Sequence, residues 1–457
     1  MPADDAWHTL VHVCHRWRSI VFASPQRLNL QLLCTAKRPV KKDLDIWPEL
    51  PLVITAGFEK MQGVGVDNIV AALKRHSRVC YVHLPRTPDS LLENIVAMEG
   101  PFPALTYLNL SSMGENVMTL PDSFLDGSVP QLRLFKLSGI AFPGLGRLLL
   151  STHHLVILRL WDVPHSGYMS PDTVVTALST LTRLKRMSLN FRSPRSEAAR
   201  ASRLPPPLTR VDLPALISLV FQGDSEYLED FVSRFDAPLI HQFIITFFNQ
   251  LVFDTPFLHH FISRTRGFQE PSSADVVFDS TYAEVALSRQ GLQLGDEMFE
   301  LGLRISCKPF NWQLSSLVQV LSSLPPVPTL RFLKVRIRED SYPREQQQAR
   351  QEQRWDDTES TQWLELFGVF ASVGYLWLSG HLVPLISPVL KELGQVLPVL
   401  QNLSLWEPLP SGASRIAIEQ FVAARRSSYF PVTVRHMEGE GAWAGELDWA
   451  FNEKVDP

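Results

Sequence analysis

Apolar residues along this chain fall repeatedly into the frame L-x-x-L-x-L. The frame occupies Val79-Val82-Leu84, Leu105-Leu108-Leu110, Leu132-Phe135-Leu137, Leu155-Leu158-Leu160 and Leu184-Met187-Leu189. It continues through Leu216-Leu219-Phe221, Ile240-Phe243-Ile245, Met298-Leu301-Leu303, Leu330-Leu333-Val335, Val373-Leu376-Leu378 and Leu400-Leu403-Leu405. The first seven frames start 26, 27, 23, 29, 32 and 24 residues apart. Alternating apolar positions predict a strand with one buried face. Between the frames the spacing turns helical: "DNIVAALKRH" from a cap at Asp67, "SLLENIVAM" with Ser90 and Glu93 at capping-box spacing, and "PDTVVTALSTL" with Pro171 and Asp172 at its start.

One strand and one helix cannot bury an apolar face alone, so neighbouring units must stack. The predicted fold class is α/β, an irregular leucine-rich-repeat solenoid over residues 28–435: a horseshoe with a parallel sheet inside and helices outside. The asparagine common in the ninth position of such repeats is absent, with Met113, Ile140, Val163 and Arg192 standing there. Three segments break the pattern. "RSPRSEAARASRLPPPLTR" (192–210) predicts an exposed loop, the polar stretch 338–357 a solvated insertion, and the acidic end 436–457 a loosely packed tail.

The front of the chain, 1–27, has its own pattern. Trp7, Leu10, Val11, Cys14, Trp17 and Val21 follow helical spacing and predict one amphipathic helix, stopped by Ser24-Pro25. Leu28, Leu30 and Leu32 then alternate with Asn29 and Gln31 as a strand would. The helix is either a cap on the open end of the core or a docking element.

Composition narrows the function. The formal net charge of −4 over 457 residues offers no concentrated basic excess for nucleic acid. No apolar run approaches the roughly 20 residues of a membrane helix, and "MPADDAWHTL" lacks the basic-then-apolar form of a secretory signal. Cys14, Cys34, Cys80 and Cys307 stand far apart without a CxxC pair and read as reduced, mostly buried residues of a cytoplasmic or nuclear protein.

Catalytic patterns are missing from the sequence. "GVGVDN" (63–68) has glycines without a phosphate-loop pattern, and no GxSxG elbow occurs. His153-His154 and His259-His260 are adjacent pairs that would diverge on a strand, and His8, His12 and His15 read as a polar helix face rather than a metal site. Asp224, Glu226, Glu229 and Asp230 read as a surface charge run. The expectation is no enzyme, no cofactor and no metal. The frame instead puts its third and fifth residues, and the one after its last leucine, on the concave face. Tyr107, Lys136, Arg159, Trp161 and Arg186, then Lys334, Arg336, Tyr375, Trp377 and Trp406, become the candidate contacts for a target protein.

"LVHVCHRWRSIVFASPQRLNL" resembles the second half of an F-box, matching at Leu10, Val13, Cys14, Trp17 and Arg18. Segments such as "LDIWPELPLVI", "FPGLGRLLLSTHHLVILRLWDVPHSGYMSP" and "SEYLEDFVSRFDAPLI" are similar to fungal F-box proteins with degenerate leucine-rich repeats, a likeness covering most of the chain. The Leu-Pro-x-Glu helix that opens such a box has no counterpart before this point. The resemblance implies a substrate receptor of a cullin–RING ubiquitin ligase, monomeric outside the complex. A Skp-type adaptor would be bound through Trp7, Leu10, Val13, Cys14, Trp17 and Arg18, and a target protein through the repeats. The alternative is a non-catalytic repeat scaffold that no longer binds the adaptor.

Overall fold

The computed structural model describes residues 13–23, 30–37, 44, 49–57, 63–98, 100–112, 114, 117–195, 210–250, 252–289, 300–338, 360–406, 412–428 and 430–437. Trp7, Leu10 and Met298, and most of the segments 192–210, 338–357 and 436–457, lie outside the described residues. Two compact units result, one of Met1–Val220 with Arg234–Pro238, the other of Phe221–Ser233 with Leu239–Pro457.

In the first unit each frame becomes one strand. The strands are β1 (Leu32–Thr35), β2 (Leu52–Thr55), β3 (Val79–Thr87), β4 (Tyr107–Ser112), β5 (Leu134–Ser138), β6 (Ile157–Val163) and β7 (Arg186–Phe191). Each pairs in parallel with the next in chain order. Register follows the frame: Val82, Leu108, Phe135, Leu158 and Met187 lie side by side, and Leu84, Leu110, Leu137, Leu160 and Leu189 form the next row. Every residue in both rows is buried, each worth about 1.5–3 kcal/mol of removed apolar surface.

One turn recurs before the strands. The N–H of Leu105, Leu132, Leu155, Leu184 and Leu216 donates to the carbonyl three residues back, on Phe102, Val129, Thr152, Leu181 and Leu213. A second device keeps the repeats in step. The carbonyls of Thr106, Arg133, Val156 and Lys185 each accept two N–H groups from the following repeat. Helices α2 (Val64–Leu73), α3 (Asp89–Val96), α4 (Leu145–Leu150) and α5 (Pro171–Leu178) follow their strands and bury Leu91, Leu92, Leu148, Leu149, Val174 and Leu178. Helix α1 (His15–Ala23) precedes β1.

Pro171 and Asp172 start α5, as the sequence led one to expect, and Ser170 caps it through the Thr173 N–H. The other two caps differ. Helix α2 starts at Val64 behind Gly63, whose φ of 48° suits glycine, and Asp67 falls inside its first turn. Helix α3 starts at Asp89 behind Pro88, with no side-chain cap from Ser90.

The second unit keeps the frame but not the strand order. Strand β8 (Ser218–Gly223) carries the division between the units. Beyond it come β9 (Gln242–Phe247), β10 (Ser273–Phe278), β11 (Tyr282–Ser288), β12 (Leu301–Ser306), β13 (Phe332–Ile337), β14 (Tyr375–Leu378), β15 (Asn402–Trp406) and β16 (Thr433–Met437). Strand β9 pairs with β12, not β10. Strands β12, β11 and β10 form an antiparallel meander, and β10 then pairs in parallel with β13. The all-parallel sheet expected from the sequence is therefore interrupted by β11. Its cause is the segment "SADVVFDSTYAEVALS", two alternating runs around a tight turn at Asp279-Ser280-Thr281, where Asp279 Oδ1 accepts the Thr281 N–H.

Helices α6 (Ser225–Val232), α7 (Pro256–Arg264), α8 (Phe310–Ser322), α9 (Ser360–Val369), α10 (Leu390–Val396) and α11 (Gly412–Ser427) complete the unit. Phe278, Phe310, Trp363 and Phe367 stack as its aromatic core, ring centres 4.8–6.2 Å apart. The acidic run 224–230 is no surface charge run: it forms α6, with Asp224 and Glu229 buried. Both Glu229 oxygens accept N–H groups from the start of α7, Phe257 and Leu258, each at 2.8 Å.

Candidate interaction surfaces

Helix α1 is shorter than its apolar stripe suggests. Val13 sits in a turn, and Cys14 acts as the cap, accepting the Trp17 N–H on Sγ at 3.5 Å. Trp7, Leu10 and Val11 lie outside the described residues. Val21 alone of the helix is fully buried, packed with Leu30 and Leu50, and Phe22 lies against them. Trp17 (48% exposed) and Ile20 (54%) point to solvent at i, i+3 spacing on the helix, and Val13 (63%) is exposed in the turn before it. Cys14, Arg18 and His15 are exposed as well. Ile20 was not anticipated, although its spacing from Trp17 was a readable signal. Of the other cysteines, Cys34 and Cys307 are buried and Cys80 is half-buried, all as free thiols.

The open face of the first unit is built of cross-strand rows. One row runs Leu33, Val53, Tyr81, Tyr107, Leu134, Ile157, Arg186; the next runs Thr35, Thr55, His83, Asn109, Lys136, Arg159, Ser188. The second is polar throughout. At one end Tyr81 and Tyr107 stack 4.1 Å apart, and Asn109 Nδ2 donates to His83 Nδ1 at 3.0 Å. Burial and the neighbouring Tyr107 hydroxyl push the Tyr81 phenol up to about 12, and burial with the nearby Lys136 charge holds His83 below its ordinary value. At the other end Lys136 and Arg159 are half-buried, Arg186 is exposed and Trp161 is 42% exposed. The structure thus brings Tyr107, Lys136, Arg159, Trp161 and Arg186 onto one surface. Tyr81 and His83 belong to it too, and the same frame positions counted from Val79 would have named them.

The second unit treats the corresponding positions differently. Lys334, Trp377 and Trp406 are buried. Phe332, Trp377 and Trp406 form a cluster with Tyr375 against it, and Lys334 Nζ lies 4.3 Å over the Trp406 ring. Arg336 is held by Asp275, with Nη2 to Oδ2 at 2.9 Å. On the adjoining strands Arg304 pairs with Glu284 at 2.9 Å and stacks over Tyr282. Lys334, Trp377 and Trp406 therefore contribute to internal packing here, with little surface left for display, and Tyr375 is half-buried. Local spacing carries no sign of this, since the acids that close the face come from β10 and β11, which lie outside the repeating frame.

Among the described residues, no three His, Cys, Asp or Glu side chains converge as metal ligands, and no helix is long and apolar enough to cross a membrane.

Strand register, the recurring turn and the buried frame define a protein of leucine-rich-repeat character. No family model matches the chain, and no curated protein matches its sequence. Among solved structures it is similar to the leucine-rich repeat-containing protein LegL7 from Legionella pneumophila, at 11% identity and a TM-score of 0.31, over 86% of this chain and 97% of that one. At that score the likeness carries no argument, and the repeat assignment rests on the register and burial given above.

Proposed function

We propose that this chain is a non-catalytic, F-box-like substrate receptor of a cullin–RING ubiquitin ligase, of the kind found in fungi. Helix α1 docks a Skp-type adaptor and the repeats hold a target protein. The observation that supports this most is the exposure of Trp17 and Ile20 on α1, with Val13 exposed in the turn before it, while Val21 anchors the helix against Leu30 and Leu50. A helix serving only as a cap would turn its tryptophan inward. The receptor does no bond chemistry: it raises the effective concentration of the target beside the ubiquitin-charged enzyme.

A second reading, a repeat scaffold without an adaptor, draws on the packing of Val21 and Phe22 against Leu30 and Leu50, which ties the helix to the core. Pull-down of purified Skp-type adaptor by the full chain separates the two. The receptor reading expects capture that Trp17→Ala and Leu10→Ala abolish while the chain stays folded by circular dichroism. No capture by the folded wild type leaves the scaffold.

A further inference from the structure

Cations on the first unit's open face are left without acids. Between Gln131 and Arg195 the sequence holds nine Lys or Arg and two Asp or Glu. Both acids are already engaged, Asp162 with Arg192 at 2.7 Å and Asp172 with Arg234 at 3.1 Å. Among the described residues, Arg133, Lys136, Arg159, Lys185 and Arg186 make no ion pair. Lys136 and Arg159 are direct cross-strand neighbours on parallel strands, an arrangement of like charges that weakens a sheet. The second unit solves the same problem internally, with Arg304 on Glu284, Arg336 on Asp275 and Lys334 over Trp406.

The charge continues around the N-terminal ends of the strands. There a groove of about 680 Å³ is lined by Thr106, Arg133, His154, Val156, Arg183 and Lys185. No carboxylate lines it. Arg183 donates to His154 Nδ1 at 3.1 Å. The groove residues Arg133, Val156 and Lys185 immediately precede Leu134, Ile157 and Arg186 of the open-face row, so groove and face are continuous.

We propose that this surface binds an acidic, extended peptide segment of a partner protein, its carboxylates reaching Arg133, Lys136, Arg159, Lys185 and Arg186 and its apolar side chains meeting Trp161, Ile157 and Leu134. The proposal rests on the receptor reading and names the chemistry of its target. Charge complementarity selects an acidic occupant. The apolar side chains of Leu134, Ile157 and Trp161 beside the cations suit a peptide, whose residues can supply both carboxylates and apolar groups.

The test is fluorescence anisotropy with the full chain and three labelled probes: a peptide alternating Glu with Leu and Ala, the same peptide with Gln for Glu, and a single-stranded oligonucleotide of equal charge. The acidic peptide is expected to bind, to weaken as salt rises, and to lose tenfold or more in affinity on Lys136→Glu with Arg159→Glu. Lys391→Glu, an exposed cation of the second unit, is expected to leave binding unchanged. Equal binding of the Gln peptide, tighter binding of the oligonucleotide, equal loss with Lys391→Glu, or no binding by the folded chain would each overturn the proposal. Adaptor capture measured on the same preparations keeps the two readings apart. Capture without acidic-peptide binding sinks only this inference, and the converse sinks only the adaptor.

Discussion

Glu229 offers the sharpest test of how one repeat is fastened to the next. Helix α7 begins with Thr255 as its cap, yet the Thr255 hydroxyl bonds Ser323 at 2.6 Å and makes no cap. Pro256 at N1 has no N–H. The donors an N-cap would satisfy, Phe257 and Leu258, both go to the Glu229 carboxylate of α6 at 2.8 Å. Hydrogen bonds to a charged acceptor contribute about 1.5–3 kcal/mol each, and the negative charge at a helix N-terminus adds to them. Against this, Glu229→Ala releases the cost of burying a charge, and the exposed Phe257 amide can rehydrate. The balance is a destabilisation of about 2–4 kcal/mol. Glu229→Gln keeps one acceptor and is expected to cost about half of that. Urea unfolding gives the global value, and hydrogen exchange across Pro256–Arg264 gives the local one. An Ala variant within about 0.5 kcal/mol of wild type, with unchanged exchange at Phe257 and Leu258, would refute the cap.

Arg425 is the other polar fastener: its guanidinium donates to the carbonyls of Gly394, Pro398 and Leu400 at 2.8–3.2 Å. Arg425→Met strands three carbonyls and is expected to cost about 2–4 kcal/mol in urea unfolding; a loss near zero would show that water replaces the guanidinium. Trp17→Ala should move stability by less than about 0.5 kcal/mol, whereas Val21→Ala should cost about 1–3 kcal/mol; equal costs would mean that Trp17 is packed, not displayed. His83 titrates below the ordinary 6.5 in the folded chain. As pH falls below that value the unfolded chain takes up the proton that the folded one declines, so stability present above pH 6.5 is lost on acidification. His83→Gln should flatten the dependence of the urea midpoint between about pH 7.5 and 5.5; an unchanged slope would assign it to other groups.

The array was legible in the sequence because its signal is redundant. Within the described residues, each apolar position of the eleven frames is buried, and a wrong guess at one frame is corrected by its neighbours. The meander escaped because "SADVVF" and "YAEVALS" alternate with period two but lack the leading leucine of the frame. Their partners are set by tertiary pairing, which local spacing does not encode. Caps differ for a related reason: Gly63, Pro88 and Cys14 start helices by backbone geometry or a thiol, where Ser and Asp are the usual caps. On the candidate surface, residue types were readable while their exposure was not. Lys136 and Lys334 hold the same frame position, and only the acids and aromatics around Lys334 decide that it turns inward.

The reordered strands bear on how the protein is made. In the first unit a new strand finds its partner after a short wait, as Phe135 follows Leu108 by 27 positions. Strand β9 must leave one edge open until Leu301 arrives opposite Phe243, 58 positions later. At about 5–20 residues per second on the ribosome, that edge stays unpaired for about 3–12 seconds. The nascent chain between β9 and β12 is therefore made while that edge is still unpaired. Slower translation of codons 248–300 would lengthen that exposure and lower the yield of folded protein, while the same slowing between Leu110 and Phe135 would cost far less.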